Sequence, residues 1–77
     1  MGRKPKAQEE QIVSHIERFR VIAGLSRQEL ADAVDVHYQT IGYIERGEYS
    51  PSLVLALKFA KVLNVTVEDI FQLGEQK

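Results

Sequence analysis

The sequence predicts an all-α fold of five short helices, and three observations carry that prediction. Apolar residues recur at helical spacing along most of the chain. Ser26, Ser52 and Thr66 stand where helices would start. Gly24, Asp35, Gly47 and Asn64 stand where the chain must stop or reverse. The 77 residues leave room for a single core, and a chain of this size buries only about 60 per cent of its unfolded surface. Stability should therefore be modest, which makes association physically attractive.

Residues 1–7 read as a disordered basic arm, with Arg3, Lys4 and Lys6 around Pro5. Residues 8–73 read as one domain and 74–77 as a short tail. Helix one is expected over 8–23, with Ile12, Ile16, Phe19 and Ala23 on one face, Val13 and Val21 off it, and Gly24 as its left-handed terminator. Helix two should begin at about Arg27, because Ser26 and Glu29 form a capping box: the serine hydroxyl accepts from an orphan amide and the glutamate reaches back to the serine amide. Leu30, Ala31 and Val34 form its buried face, and Ala31 is small enough to let a second helix cross closely. Asp35 follows where the chain must turn, and Asp tolerates the left-handed conformation better than most residues with a side chain.

Helix three then runs from His37 or Tyr38 to about Arg46, with Ile41 and Ile44 inward, Val36 plugging the turn and Gly47 as the stop. Tyr38, Gln39, Gly42 and Tyr43 are left facing out. Helix four follows Ser52 and carries Leu53, Ala56, Leu57, Ala60 and Leu63, with Asn64 ending it. Helix five is expected from about Val67 to Leu73, capped by Thr66 with Asp69 three residues on, and offers Ile70 and Phe71 to the core. Two short helices at a tight turn, the second exposing polar and aromatic side chains, are how a small domain presents one helix to the DNA major groove.

Across roughly residues 12–71 the chain resembles the helix-turn-helix family of the lambdoid phage repressor and Cro proteins, also called the XRE family. Leu30-Ala31, Val36, Ile41, Ile44-Glu45 and Gly47 stand where that family has core and turn residues, and 49–53 looks like its loop into the fourth helix. Two positions depart from the pattern. Asp35 replaces a usual Gly, at about 1 kcal/mol of local strain, and His37 replaces a usual Ser or Thr at the cap of helix three. The resemblance implies a compact five-helix lambda-repressor-like DNA-binding domain with the helix-turn-helix at helices two and three. Arg20 and Glu45 stand where similar phage repressors have a buried ion pair. Removing one partner from such a pair should cost about 3 to 5 kcal/mol if the site is fully buried.

Composition excludes other classes. Without cysteine, and with only His15 and His37 beside scattered carboxylates, there is no disulfide framework and no metal-ligand cluster. No apolar run approaches the ~20 residues of a membrane span and no secretory leader is recognisable, so a cytoplasmic location is expected. Neither a nucleophile–base pair nor a phosphate-cradling glycine loop is found, so the reading is non-enzymatic, with no cofactor and no small-molecule effector domain. The net charge of −1 speaks against general nucleic-acid affinity. Its distribution is uneven, however: Arg27 opens the first motif helix and Arg46 closes the second, while Glu68, Asp69 and Glu75 lie at the other end.

The candidate contacts follow. Gln39 is suited to pair bidentately with adenine, and Tyr38 and Tyr43 to touch thymine methyls or phosphates; the alternatives are a solvated glutamine and tyrosines packed on their neighbours. Arg27, Gln28, His37, Thr40, Arg46, Tyr49, Ser50 and Ser52 are the candidate phosphate contacts; for His37 the alternative is a helix cap alone. One helix reads only about 4 to 5 base pairs, so a homodimer spanning two half-sites about 34 Å apart is expected on double-stranded DNA. Val54, Leu55, Phe71 and Leu73 are the candidate dimer surface, unless they simply close a monomer's core. The expectation is a transcriptional regulator acting as a repressor on an inverted repeat. The competing reading is an antitoxin-like or co-regulator module whose outward helix meets a protein.

Overall fold

The computed structural model describes residues 12–74. In chain order the elements are β1 (Ile12–Ser14), α1 (Ile16–Ile22), α2 (Arg27–Val34), α3 (Tyr38–Glu45), α4 (Leu53–Leu63), α5 (Val67–Ile70) and β2 (Phe71–Leu73). The five expected helices are present. The expected basic arm over 1–7 and the tail beyond 74 lie outside the described residues.

Two boundaries differ from expectation, and one cause explains both. Helix one does not run through residues 12–15, and helix five stops at Ile70 rather than Leu73. Residues 12–14 and 71–73 instead pair as an antiparallel two-stranded sheet, with Ile12 opposite Leu73, Val13 opposite Gln72 and Ser14 opposite Phe71. The switch from strand to helix occurs at Ser14 and His15. The Ser14 hydroxyl accepts from the Ile16 amide at 3.3 Å, and the His15 N–H donates across the molecule to the Ile70 carbonyl at 2.8 Å. Ile12 and Val13 are β-branched and suit the extended backbone they adopt. Phe71 leaves α5 at φ −130°, ψ 132°, which brings its ring edge-on to Phe59 at 6.1 Å between centroids.

The local caps form as their residue types dictate. Ser26 and Glu29 make both bonds of a capping box, as do Thr66 and Asp69, and the Ser52 hydroxyl accepts from the Leu55 amide. Asp35 and Asn64 end α2 and α4 at φ 61°, and Gly24 and Gly47 take φ of 77° and 75°.

The core joins Ile16, Leu30, Ala31, Val34, Ile41, Ile44, Phe59, Leu63 and Ile70, with Phe19, Leu25, Val36, Leu55, Ala60, Val65 and Phe71 packed around it. Helix α4 faces inward differently from expectation. Leu53 and Leu57 are exposed, and Phe59, absent from the expected face, is the largest fully buried side chain. Ala56, Phe59, Ala60 and Leu63 are spaced three, four and seven apart, and this stripe seats the larger aromatic ring between two alanines. Ala23, expected on the inner face of α1, is exposed.

Candidate nucleic-acid interface

The site begins with the packing of α2 on α3. Leu30, Ala31 and Val34 meet Ile41 and Ile44, all essentially without solvent exposure, and Ala31 lets the two backbones approach. Between the helices, Asp35 in the left-handed region and the Val36 N–H bonded back to the Ala31 carbonyl at 3.0 Å complete the turn. His37 caps α3 through its ring: Nδ1 accepts from the Gln39 amide at 3.0 Å. With Nδ1 as acceptor, the neutral ring carries its proton on Nε2, which stays available as a donor.

A three-residue ion cluster fixes α3 from the other side. Arg20 Nε donates to Glu45 Oε2 at 2.7 Å, and Arg20 Nη1 donates to the Leu25 carbonyl at 2.9 Å. Arg27 Nε donates to the second oxygen, Glu45 Oε1, at 2.8 Å. The Glu45 side chain is only 3% exposed, so its charge is held between two guanidinium groups rather than by water. These bonds tie α1, α2 and α3 at one carboxylate. The bond to Glu45, with a smaller contribution from Tyr38, raises the Arg27 guanidinium above its ordinary pKa. Sequence reasoning paired Arg20 with Glu45 and missed Arg27; the signal available was that Arg27, in the first turn of α2, stands on the helix that α3 crosses.

On the outward side, Arg27, Tyr38, Gln39, Gly42, Tyr43 and Arg46 line a groove of about 260 Å³. Tyr38 and Tyr43 are 44% and 47% exposed. Arg46 stacks over the Tyr43 ring with its guanidinium carbon 5.2 Å from the centroid, and its Nε also reaches Glu48 at 3.2 Å. The groove thus has an arginine at each end, aromatic walls and a glutamine whose amide can both donate and accept. Gly42 lies among them, although glycine inside a helix costs about 0.5 to 1 kcal/mol relative to alanine.

The structure does not bring every candidate to this groove. Gln28 is exposed and donates to Asp32 at 2.9 Å. Thr40 is half-buried and lies roughly 200° around the helix from Tyr38, beside the inward face. Tyr49 and Ser50 are exposed in the loop after α3, while the Ser52 hydroxyl is used as the cap of α4. Among the dimer candidates, Val54 and Leu73 are exposed, whereas Leu55 and Phe71 pack against the core.

Among the described residues no helix is long and apolar enough to cross a membrane, and no group of three potential metal ligands occurs. A helix-turn-helix family model, HTH_3, matches residues 16–70. An uncharacterized HTH-type transcriptional regulator of Archaeoglobus fulgidus is 42% identical over 64 residues, covering 83% of this chain and 90% of the relative. The crystal structure of the restriction-modification controller protein C.AhdI from Aeromonas hydrophila superimposes with a TM-score of 0.65 and 31% identity, over 70% of this chain and 82% of that one. The clp gene regulator ClgR from Corynebacterium glutamicum does so with a TM-score of 0.67 and 27% identity, over 86% and 84%. Family match, relative and architecture agree with the groove-bearing α2–α3 pair, and the chain belongs to the HTH_3 helix-turn-helix family of non-enzymatic, DNA-binding transcriptional regulators.

Proposed function

We propose that the protein represses transcription by occupying an inverted-repeat operator as a homodimer, with α3 in the major groove of each half-site. The observation that carries this reading is the outward face of α3, where Tyr38, Gln39 and Tyr43 lie between Arg27 and Arg46. Gln39 reads adenine N6 and N7, the tyrosines meet base edges, and the two arginines at the groove ends hold phosphates on either side. His37 Nε2, with the α2 N-terminus around Gln28, adds further phosphate contacts. Pairing of two copies is supported by the apolar stripe Leu53, Val54 and Leu57 on α4, together with Leu73, all exposed in the single chain. Repression then follows from occupancy alone, as a bound dimer excludes other proteins from the same duplex.

The test is selection of the purified protein on a random duplex library at about 100 mM salt, repeated with Gln39→Ala. The expected outcome is an enriched inverted repeat with half-sites about one helical turn apart, whose preference relaxes at one position per half-site in the variant. A folded protein that enriches no sequence would refute the reading. So would binding that is insensitive to salt, because phosphate contacts release counterions and an aromatic protein interface does not.

A further inference from the structure

We infer that His37 makes the order of α3 depend on pH: protonation of its ring removes the cap of the helix and loosens the turn that carries Tyr38 and Gln39. The cap itself supplies the chemistry. His37 Nδ1 accepts from the Gln39 amide at 3.0 Å, and an imidazole nitrogen accepts only through a lone pair that protonation consumes. The usual caps, Ser, Thr, Asn and Asp, accept through oxygen and keep doing so between about pH 5 and 8, where imidazoles change charge. A charged ring sets an N–H against the Gln39 N–H, and its positive charge meets the positive end of the helix dipole.

The surroundings do not offset this loss. The charged and titratable groups around the turn are Asp32 and Asp35 from the α2 side, Tyr38 next along α3, and Arg27, whose Nε is bonded to Glu45. Arg20, from α1, meets Glu45 at the other end of α3. Among the described residues none of these forms an ion pair with His37, and His37 is exposed, so its ring exchanges protons freely with water. The chain has one other histidine, and it responds differently. His15 Nε2 lies 3.4 Å from Gln72 Oε1, and protonation makes both ring nitrogens donors, which suits that contact. Acid therefore leaves the β1–β2 seam bonded and releases the first turn of α3. The consequence for DNA rests on the DNA-reading role proposed above: with Tyr38 and Gln39 loosened, binding weakens as the pH falls. A histidine acting only as a phosphate contact gives the opposite sign, since a charged ring attracts the backbone.

The experiment follows the wild-type protein and His37→Asn from about pH 7.5 to about pH 5.5, the range in which imidazole titrates, each compared with itself at the higher pH. Asparagine caps a helix through an oxygen that does not titrate. In NMR spectra the wild-type Gln39 amide proton should move upfield as the His37 ring charges, and it should hold its position in the variant. The wild-type thermal midpoint should fall about 5 °C further than that of the variant, the scale of one lost cap. On the duplex that the wild type selects, wild-type affinity should fall about fivefold more than the variant's. A Gln39 amide that does not move with the ring, or equal midpoint shifts in the two proteins, overturns the inference. Wild-type binding that tightens in acid relative to the variant overturns it as well. If the wild type selects no duplex, the DNA-reading role fails, and the amide and midpoint measurements still decide this inference.

Discussion

The α2–α3 pair and the β1–β2 seam are held together by different kinds of information. In the pair, nearly every feature is local. Ser26 and Glu29 cap α2 three residues apart, His37 caps α3 two residues ahead, Asp35 turns the chain by its own backbone, and Leu30, Val34, Ile41 and Ile44 mark the buried faces at helical spacing. In the seam, His15 reaches Gln72 across 57 residues, and nothing near residues 12–14 specifies which segment they will meet. The difference teaches that a short strand is a property of its partner. Three residues form no ladder alone, so residues 12–14 read equally well as part of the helix expected over 8–23.

This contrast can be broken most forcefully inside the pair, at the contact that is not local. Glu45→Ala removes the acceptor shared by Arg20 and Arg27 and leaves Arg20, whose side chain is 11% exposed, without its counter-charge. It should cost about 3 kcal/mol and lower the thermal midpoint by roughly 15 °C. An unchanged midpoint would show that the cluster does not tie the three helices.

At the seam, Phe71→Ala removes the ring that meets Phe59 and should cost about 2 kcal/mol in a urea titration, below the loss for a fully buried Phe. A loss under about 0.5 kcal/mol, the level of an ordinary surface substitution, would make the seam an ornament on a core that stands without it. The smallest effect has the opposite sign. Asp35→Gly relieves a left-handed φ of 61° and should stabilise the domain by about 0.5 kcal/mol, since part of the gain is offset by the freer unfolded chain. Destabilisation measured in the same titration would mean that the Asp35 side chain supports the turn in its own right.

The same division governs what could be read in advance. The caps, the turn and the faces of α2 and α3 followed from short-range chemistry, and so did the outward position of Tyr38, Gln39 and Tyr43. The inner face of α4 did not, because Leu53, Leu57, Phe59 and Leu63 offer two overlapping apolar stripes. The stripe that contains Phe59 is selected by the packing of α4 on the buried residues of the other helices, with the ring of Phe71 adding one edge contact. Arg27 was legible as a cation at the α2 N-terminus but not as a partner of Glu45, because that bond depends on how closely α2 and α3 cross. Within the site, the outward positions set by helical spacing were legible, whereas of the two bonds at Glu45 only the one to Arg20 was anticipated, through the family resemblance, and the one to Arg27 was not.

The long closure at the seam also sets an order in time. Helices and their immediate turns form in about a microsecond, whereas β1 finds β2 only after the intervening helices have brought the two segments together, since a loop of that length carries a large entropic cost until other contacts share it. The strand pair is then the last structure to form and, by the same reasoning, the first to open. Amide exchange should be fastest along 12–14 and 71–73 and slowest in α2 and α3. The α2–α3 surface proposed to face the duplex can therefore remain ordered while the far edge of the domain opens and closes.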